Sequence, residues 1–238
     1  MQKKIGFVVT CHWSSKIRSN GNELLAKFYT TLKENVQYSI SIYIVDNQSE
    51  FKLDIPSEAK YIRIDNQYES GLTGAWNVGL LAAYNDGCDI IINCNDDLWF
   101  NDTINKFIKY LSIDYNKDIV YTALTNGVIG GPQYATKPSS GIRKVSCNVG
   151  SDIVNGFFFA FTKEHYETYR YNNLQYFPLN HEYDGGDGKW GGQEGYWVIL
   201  SKLGVYGVIV LDTFIPHTKY RAWKIGKSIG NNLQNNEL

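Results

Sequence analysis

The sequence predicts an α/β fold with a central, mostly parallel sheet, helices on both faces and a less regular second half. Two observations carry that prediction. Short apolar, β-branched runs alternate with amphipathic stretches through residues 4–97, and several of the runs end in acids or amides. Strands joined through helices pair in parallel with right-handed connections, and such sheets bind ligands beyond the carboxyl ends of their strands.

In chain order, "KIGFVV" (Lys4 to Val9) reads as a first strand, and "NELLAKFYTTLKENV" reads as a helix with Leu24, Leu25, Phe28, Tyr29 and Leu32 on one face and Asn22 as its cap. "SISIYIV" (Ser39 to Val45) is a second strand ending at "DNQS", and "KYIRI" (Lys60 to Ile64) a weaker third. "AWNVGLLAAYND" (Ala75 to Asp86) is helical, and "CDIIINC" is a fourth strand running into Asn95, Asp96 and Asp97. Beyond the helix "DTINKFIKYL", "DIVYTAL" is a strand, and residues 126–141 form a loop or hairpin. "DIVNGFFFAFTKEHYETY" couples a strand to a helix. "HEYDGGDGKWGGQEG" carries six glycines in fifteen residues, which suits a mobile lid. A helix "YWVILSKLG" ending at Gly204 and a strand "YGVIVLD" precede "TFIPHTKYRAWK", and the polar tail from Ser228 is expected to fray.

Composition narrows the function. The 238 residues suit one domain, 1–238. Basic and acidic residues number 23 and 24 and are well mixed, so a long polyanion such as nucleic acid is not an expected partner. Cys11, Cys88, Cys94 and Cys147 lack zinc-site spacing, and no apolar run is long enough to cross a bilayer. The expectation is a soluble, cytoplasmic protein without a transmembrane segment.

Chemistry concentrates at the strand ends. Asp96 and Asp97 side by side cost free energy unless a cation neutralises them, and hard divalent cations prefer oxygen ligands. The bland alternative is a solvated turn capping the next helix. Asp46 ends another strand of the same sheet, where a carboxylate can accept from a base imide or simply close an Asp-Asn turn. Gly71 and Gly74 precede a helix start, where free N–H groups favour an anion, and tight packing explains them equally. Glu194 follows the glycine-rich stretch as a candidate general base or an ordinary first-turn acid. His217 could complete a metal shell, with Lys219, Arg221, Lys224 and Lys227 close behind to grip a diphosphate. Trp99, Tyr183, Trp190 and Trp197 could stack on a sugar or lie in the core.

Taken in order, these pieces resemble the family 2 inverting glycosyltransferases of the GT-A (Rossmann-like) fold, from "IGFVVT" to "IPH". "IYIVDNQS" is similar to that family's nucleobase site, "GLTGAWNVGL" to its G-x-x-x-A-R-N-x-G helix start, and "INCNDDLWF" to its metal-binding D-x-D element. "DIVNGFFFAFTKEHYE" is similar to the segment ahead of the acceptor site, "GGQEGYWVILSKLG" to the segment carrying the base, and "IPH" to a late metal-binding histidine. The resemblance implies a nucleotide-sugar half over about residues 1–98 and an acceptor half over about 99–238. It implies Mn²⁺ or Mg²⁺ on Asp97 and His217, Glu194 as base, and donor contacts from Thr10, Cys11, Asp46, Asn47, Gly74, Asn77, Asn95, Asp96, Lys219 and Arg221. The implied partners are a nucleotide-sugar donor, with UDP expected, and a glycan, glycoprotein or glycolipid acceptor. Four positions depart from the pattern: Trp76 replaces an arginine, Asn95 an acid, Glu194 an aspartate, and Tyr196 stands where a further acid is common. A non-catalytic carbohydrate- or nucleotide-binding relative and a sugar-1-phosphate nucleotidyltransferase are the alternatives; the latter lacks its expected Gly-rich, Arg-containing loop here.

Overall fold

A computed structural model describes residues 3–14, 19–64, 71–127, 131–146, 154–179 and 191–217, the side chains of 191–194 excepted. The strands are β1 (Ile5–Cys11), β2 (Ile40–Asp46), β3 (Lys60–Arg63), β4 (Ile90–Asn95), β5 (Ile119–Leu124), β6 (Ile142–Ser146), β7 (Phe158–Thr162) and β8 (Tyr206–Phe214). The helices are α1 (Gly21–Asn35), α2 (Leu72–Asn85), α3 (Ile104–Asp114), α4 (Lys163–Tyr169) and α5 (Gly191–Lys202). All eight strands form one sheet in the order β3-β2-β1-β4-β7-β5-β8-β6. Strands β1 to β4 are mutually parallel, β7 runs against both β4 and β5, β8 runs with β5, and β6 closes one edge antiparallel to β8.

The sheet is buried on both faces, which is why its central strands are apolar throughout rather than alternating. One face packs Leu25, Phe28 and Leu32 of α1 and Ile104, Phe107, Ile108 and Leu111 of α3 against Phe7, Val9, Ile92 and Phe158. The other packs Trp76, Leu80 and Ala83 of α2 with Tyr166 of α4 and Trp197 and Leu200 of α5 over Val8, Ile91, Phe159 and Phe161. Strand β1 has β2 on one side and β4 on the other, so the chain leaves the pair in opposite directions. In open sheets of this kind such a reversal leaves a crevice at the carboxyl ends of the strands, here β1 and β4, where ligands bind.

Several expectations are corrected. Asn20, not Asn22, is the N-cap of α1; Asn22 lies in the first turn, where its side chain accepts from Asp54 N–H and donates to the Lys52 carbonyl, tying α1 to the loop between β2 and β3. Helix α2 begins at Leu72, three residues earlier than expected, with Gly71 as N-cap at φ 94°, a conformation that favours glycine. Strand β6 was not anticipated, because its exposed, charged sequence "IRKVS" lacks an apolar pattern; it is an edge strand, where charge deters further pairing. The last five residues of the glycine-rich stretch belong to α5, and the rest of the expected lid, like the tail from Ser228, lies outside the described residues. Among the described residues, no helix is long and apolar enough to cross a membrane.

Candidate active site

Parallel register brings the strand ends into one row. Cys11 stands beside Asp46, Asp46 beside Arg63, and Thr10 beside Asn95. Asp46 is fully buried and its charge is held from three directions: Oδ1 accepts from Ser49 N–H at 2.8 Å, and Oδ2 accepts from Tyr61 Oη at 2.7 Å and from Arg63 Nη1 at 2.6 Å. A buried carboxylate needs such partners, and the Arg63 pair neutralises it at the rim, where Arg63 is 40% exposed. Burial, and then the hydrogen bond to Asp46, raise the Tyr61 phenol above its ordinary pKa. Neither Tyr61 nor Arg63 was identified from sequence, although a cation and a phenol at the end of "KYIRI" were available as the signal.

Asn47 turns the chain out of β2. Its N–H donates to the Cys11 carbonyl at 2.8 Å, and its own carbonyl lies 2.6 Å from His12 Nδ1. Thr10 Oγ1 and Asn47 Oδ1 are buried and have no hydrogen-bond partner among the described residues. Buried polar atoms left in that condition are costly, and two of them at a ligand crevice suit a polar ligand.

The acid pair after β4 is divided by what surrounds it. Asp96 is buried and its Oδ2 accepts from the Trp13 indole N–H. Trp13 is itself clamped: its N–H donates to Ser49 Oγ at 3.1 Å, its carbonyl accepts from Glu50 N–H at 2.8 Å, and its ring lies on Gly21 so closely that a Cβ there would sit 2.0 Å from Cδ2. Asp96 is thereby tied to the loops after β1 and β2. Asp97, also buried, has Oδ1 3.4 Å from Nε2 of His217, which arrives just past the end of β8. Two ligands of one cation, each about 2.1 Å from it, lie roughly 3.0–3.4 Å apart, so a carboxylate oxygen and an imidazole nitrogen at this separation fit a shared divalent ion. Among the described residues no third histidine, cysteine or acid joins them. Asn95 is half-buried, and its N–H donates to the Phe157 carbonyl at 2.8 Å.

Other expected residues have packing roles. Gly74 is buried in the first turn of α2. Asn77 bridges to the segment after α4: Oδ1 accepts from the N–H groups of Tyr176 and Phe177 at 3.1 and 2.8 Å, and Nδ2 donates to the Phe177 carbonyl at 2.8 Å. That amide is committed to holding the two segments together. Trp76 and Trp197 are core residues packed against Phe159 and Phe177, so Trp197 is no acceptor platform. Trp99 is half-buried, with Lys27 Nζ 3.5 Å above its ring. Glu194 falls in the first turn of α5, but its side chain lies outside the described residues, as do Tyr183, Trp190, Lys219, Arg221, Lys224 and Lys227.

The mixed sheet, with acids gathered at the carboxyl ends of β2 and β4, is that of an α/β protein of the GT-A fold. Solved glycosyltransferases with that fold superimpose on it. A structure of S. aureus TarS aligns with a TM-score of 0.58 and 12% identity over 93% of this chain. The structure described as GalNAc-T7 with UDP, GalNAc and Mn²⁺ aligns at 0.57 and 13% over 91%. This chain spans 63% of the first and 44% of the second. The sequence profile of glycosyl transferase family 2 matches residues 19–181, and the chain belongs to that family. No curated protein sequence matches it.

Proposed function

We propose that the protein is a metal-dependent, inverting glycosyltransferase that moves a sugar from a nucleotide-sugar donor, a UDP-sugar in our reading, to a hydroxyl of a glycan or glycoconjugate. The observation that carries this reading is the meeting of Asp97 and His217, 3.4 Å apart, beside the crevice that also holds Asp46. A carboxylate oxygen and an imidazole nitrogen can hold Mn²⁺, and less readily Mg²⁺, with the oxygens of a diphosphate; such a cation, when bound, would offset the negative charge that grows on the departing nucleoside diphosphate. Residues 1–98 supply Asp97 and the base site, and residues 99–238 supply His217 and the acceptor side.

In this reading the base lies over Thr10, Asn47 and Asp46. Asp46 has no exposed surface of its own and holds Arg63 in place, and the exposed Arg63 guanidinium presents donors to a carbonyl of the base. Glu194 takes the acceptor's hydroxyl proton as that oxygen attacks the anomeric carbon. The bond from that carbon to the diphosphate oxygen breaks on the opposite face, giving inversion. Lys219 and Arg221 lie close enough in sequence to His217 to reach the same diphosphate.

Ligands that bind the folded state raise the unfolding midpoint once their concentration exceeds the dissociation constant. A panel of nucleoside diphosphates with and without Mn²⁺ is therefore expected to show a shift confined to UDP and enlarged by metal, and Asp97→Ala is expected to erase the metal increment. A shift from no nucleotide would overturn the donor site and favour a non-catalytic relative.

A further inference from the structure

His217 is held by neighbours from the turn after β4, the loop after β5 and the segment before β7. Its backbone N–H donates to Asn126 Oδ1 at 2.9 Å, it pairs with Leu98 in an isolated antiparallel bridge, and the preceding Pro216 carbonyl accepts from Trp99 N–H at 3.1 Å. The chain reaches this point from β8, where Ile215 N–H donates to the Leu124 carbonyl at 2.8 Å. Phe157 meets the imidazole edge to face, with centroids 6.0 Å apart. Gly127 presses on it as well. A Cβ at Gly127 would stand 2.5 Å from Cγ, 2.6 Å from Cβ and 2.9 Å from Cδ2 of His217. Those atoms are the root and near edge of a planar ring, so rotation about the side-chain bonds does not clear the overlap without carrying the ring elsewhere. Backbone geometry makes no such demand, since Gly127 is absent from the glycines with positive φ. Space for the imidazole is what requires glycine here.

We propose that Gly127 and Asn126 are positioning residues: they form a mount that sets the His217 imidazole against Asp97 and thereby sets the cation affinity of the site. The proposal rests on the metal reading above. The mount comes from the loop after β5, the acid from the turn after β4 and the imidazole from the end of β8, so the site draws on three chain segments. Groups that orient a metal-binding histidine typically govern affinity by about 10- to 100-fold.

The test uses the full chain as wild type, Gly127→Ala, Asn126→Ala, His217→Ala and the Gly127→Ala/His217→Ala double variant, each checked for an unfolding midpoint near that of the wild type. Mn²⁺ binding, alone and with UDP, is followed by the paramagnetic resonance signal of the free ion. Gly127→Ala is expected to weaken binding by about 10- to 100-fold, and Asn126→Ala, which adds no atoms, to weaken it less. In the double variant Gly127→Ala is expected to add nothing to the loss of cation binding, because the imidazole it would displace is gone; the 2.6 Å approach to Cβ of residue 217 remains, and its cost falls on stability. Wild-type affinity in Gly127→Ala, or an equal further loss on the His217→Ala background, overturns the mount. A second readout needs no metal: among the ring signals of the four histidines, the one missing from His217→Ala is expected to move in Gly127→Ala. If it stays in place the mount is overturned, whatever Mn²⁺ does. If it moves while the wild type binds no Mn²⁺, the mount stands and the metal reading falls.

Discussion

The crevice at the strand ends and the aromatic layer on the α2, α4 and α5 face are both buried, yet they are built on opposite terms. In the crevice, Asp46, Asp96 and Asp97 each face a named polar partner drawn from another segment: Arg63, Trp13 and His217. In the layer, rings meet rings. Trp197 packs on Phe159 at 5.6 Å and on Phe177 at 5.1 Å, and Tyr176 stacks on Phe161 at 4.7 Å. A crevice of restrained charges responds to ligands and to single-atom changes, whereas a layer of close-packed rings responds to lost volume. Helix α5 carries Trp197 of the layer in its body and, in its first turn, Glu194, the base in our proposal.

That helix offers the strongest way to break the contrast. Glu194→Gln keeps shape and removes the proposed base, so transfer to acceptor is expected to fall about 10²- to 10⁴-fold while donor binding and the unfolding midpoint hold. Steady-state kinetics with calorimetry on the same preparation checks both halves, and near wild-type transfer would remove Glu194 from the mechanism. Three residues on, Trp197→Ala is expected to do the reverse. It empties a fully buried site and should cost about 3–5 kcal/mol of stability, read by denaturant unfolding. Donor affinity per folded molecule should persist. Loss of donor binding at full stability would show that the layer shapes the crevice directly.

How much of this was legible in the sequence follows the same division. Strand β4 with its acids, and the Asp at the end of β2, could be read because an apolar run ending in carboxylates leaves a local signal. The partners of those acids could not. Trp13 and Asp96 are 83 residues apart, and Gly127 acts on His217 from 90 positions away, so their pairing exists only once β1, β4, β5 and β8 are assembled. Aromatic richness was visible, but its division between core and platform was not, because ring periodicity in α5 is the same for either use. Asn77 shows the limit of motif reading. Its place in the helix-start pattern suggested a donor contact, whereas the fold gives its amide three backbone partners after α4.

Among the described residues the layer holds an imidazole, His165, and it allows the mildest and most specific test of the contrast. His165 is fully buried, with Nδ1 2.5 Å from the Lys117 carbonyl and Nε2 2.5 Å from Tyr176 Oη, and it stacks on Phe161. Desolvation lowers its pKa from 6.5 to about 4; the Lys117 carbonyl and the Asp118 charge oppose that shift without cancelling it. Between those values the unfolded chain binds a proton that the folded chain refuses, so this group's contribution is complete above about pH 6.5 and is lost as the pH falls towards 4. The loss amounts to about 3 kcal/mol at most. Denaturant unfolding at pH 7 and pH 4.5 should therefore show a shallower acid loss for His165→Gln than for the wild type, because glutamine does not titrate. Equal slopes would mean that the ring is protonated inside the layer, and that the layer, like the crevice, holds a charge by hydrogen bonding rather than excluding it.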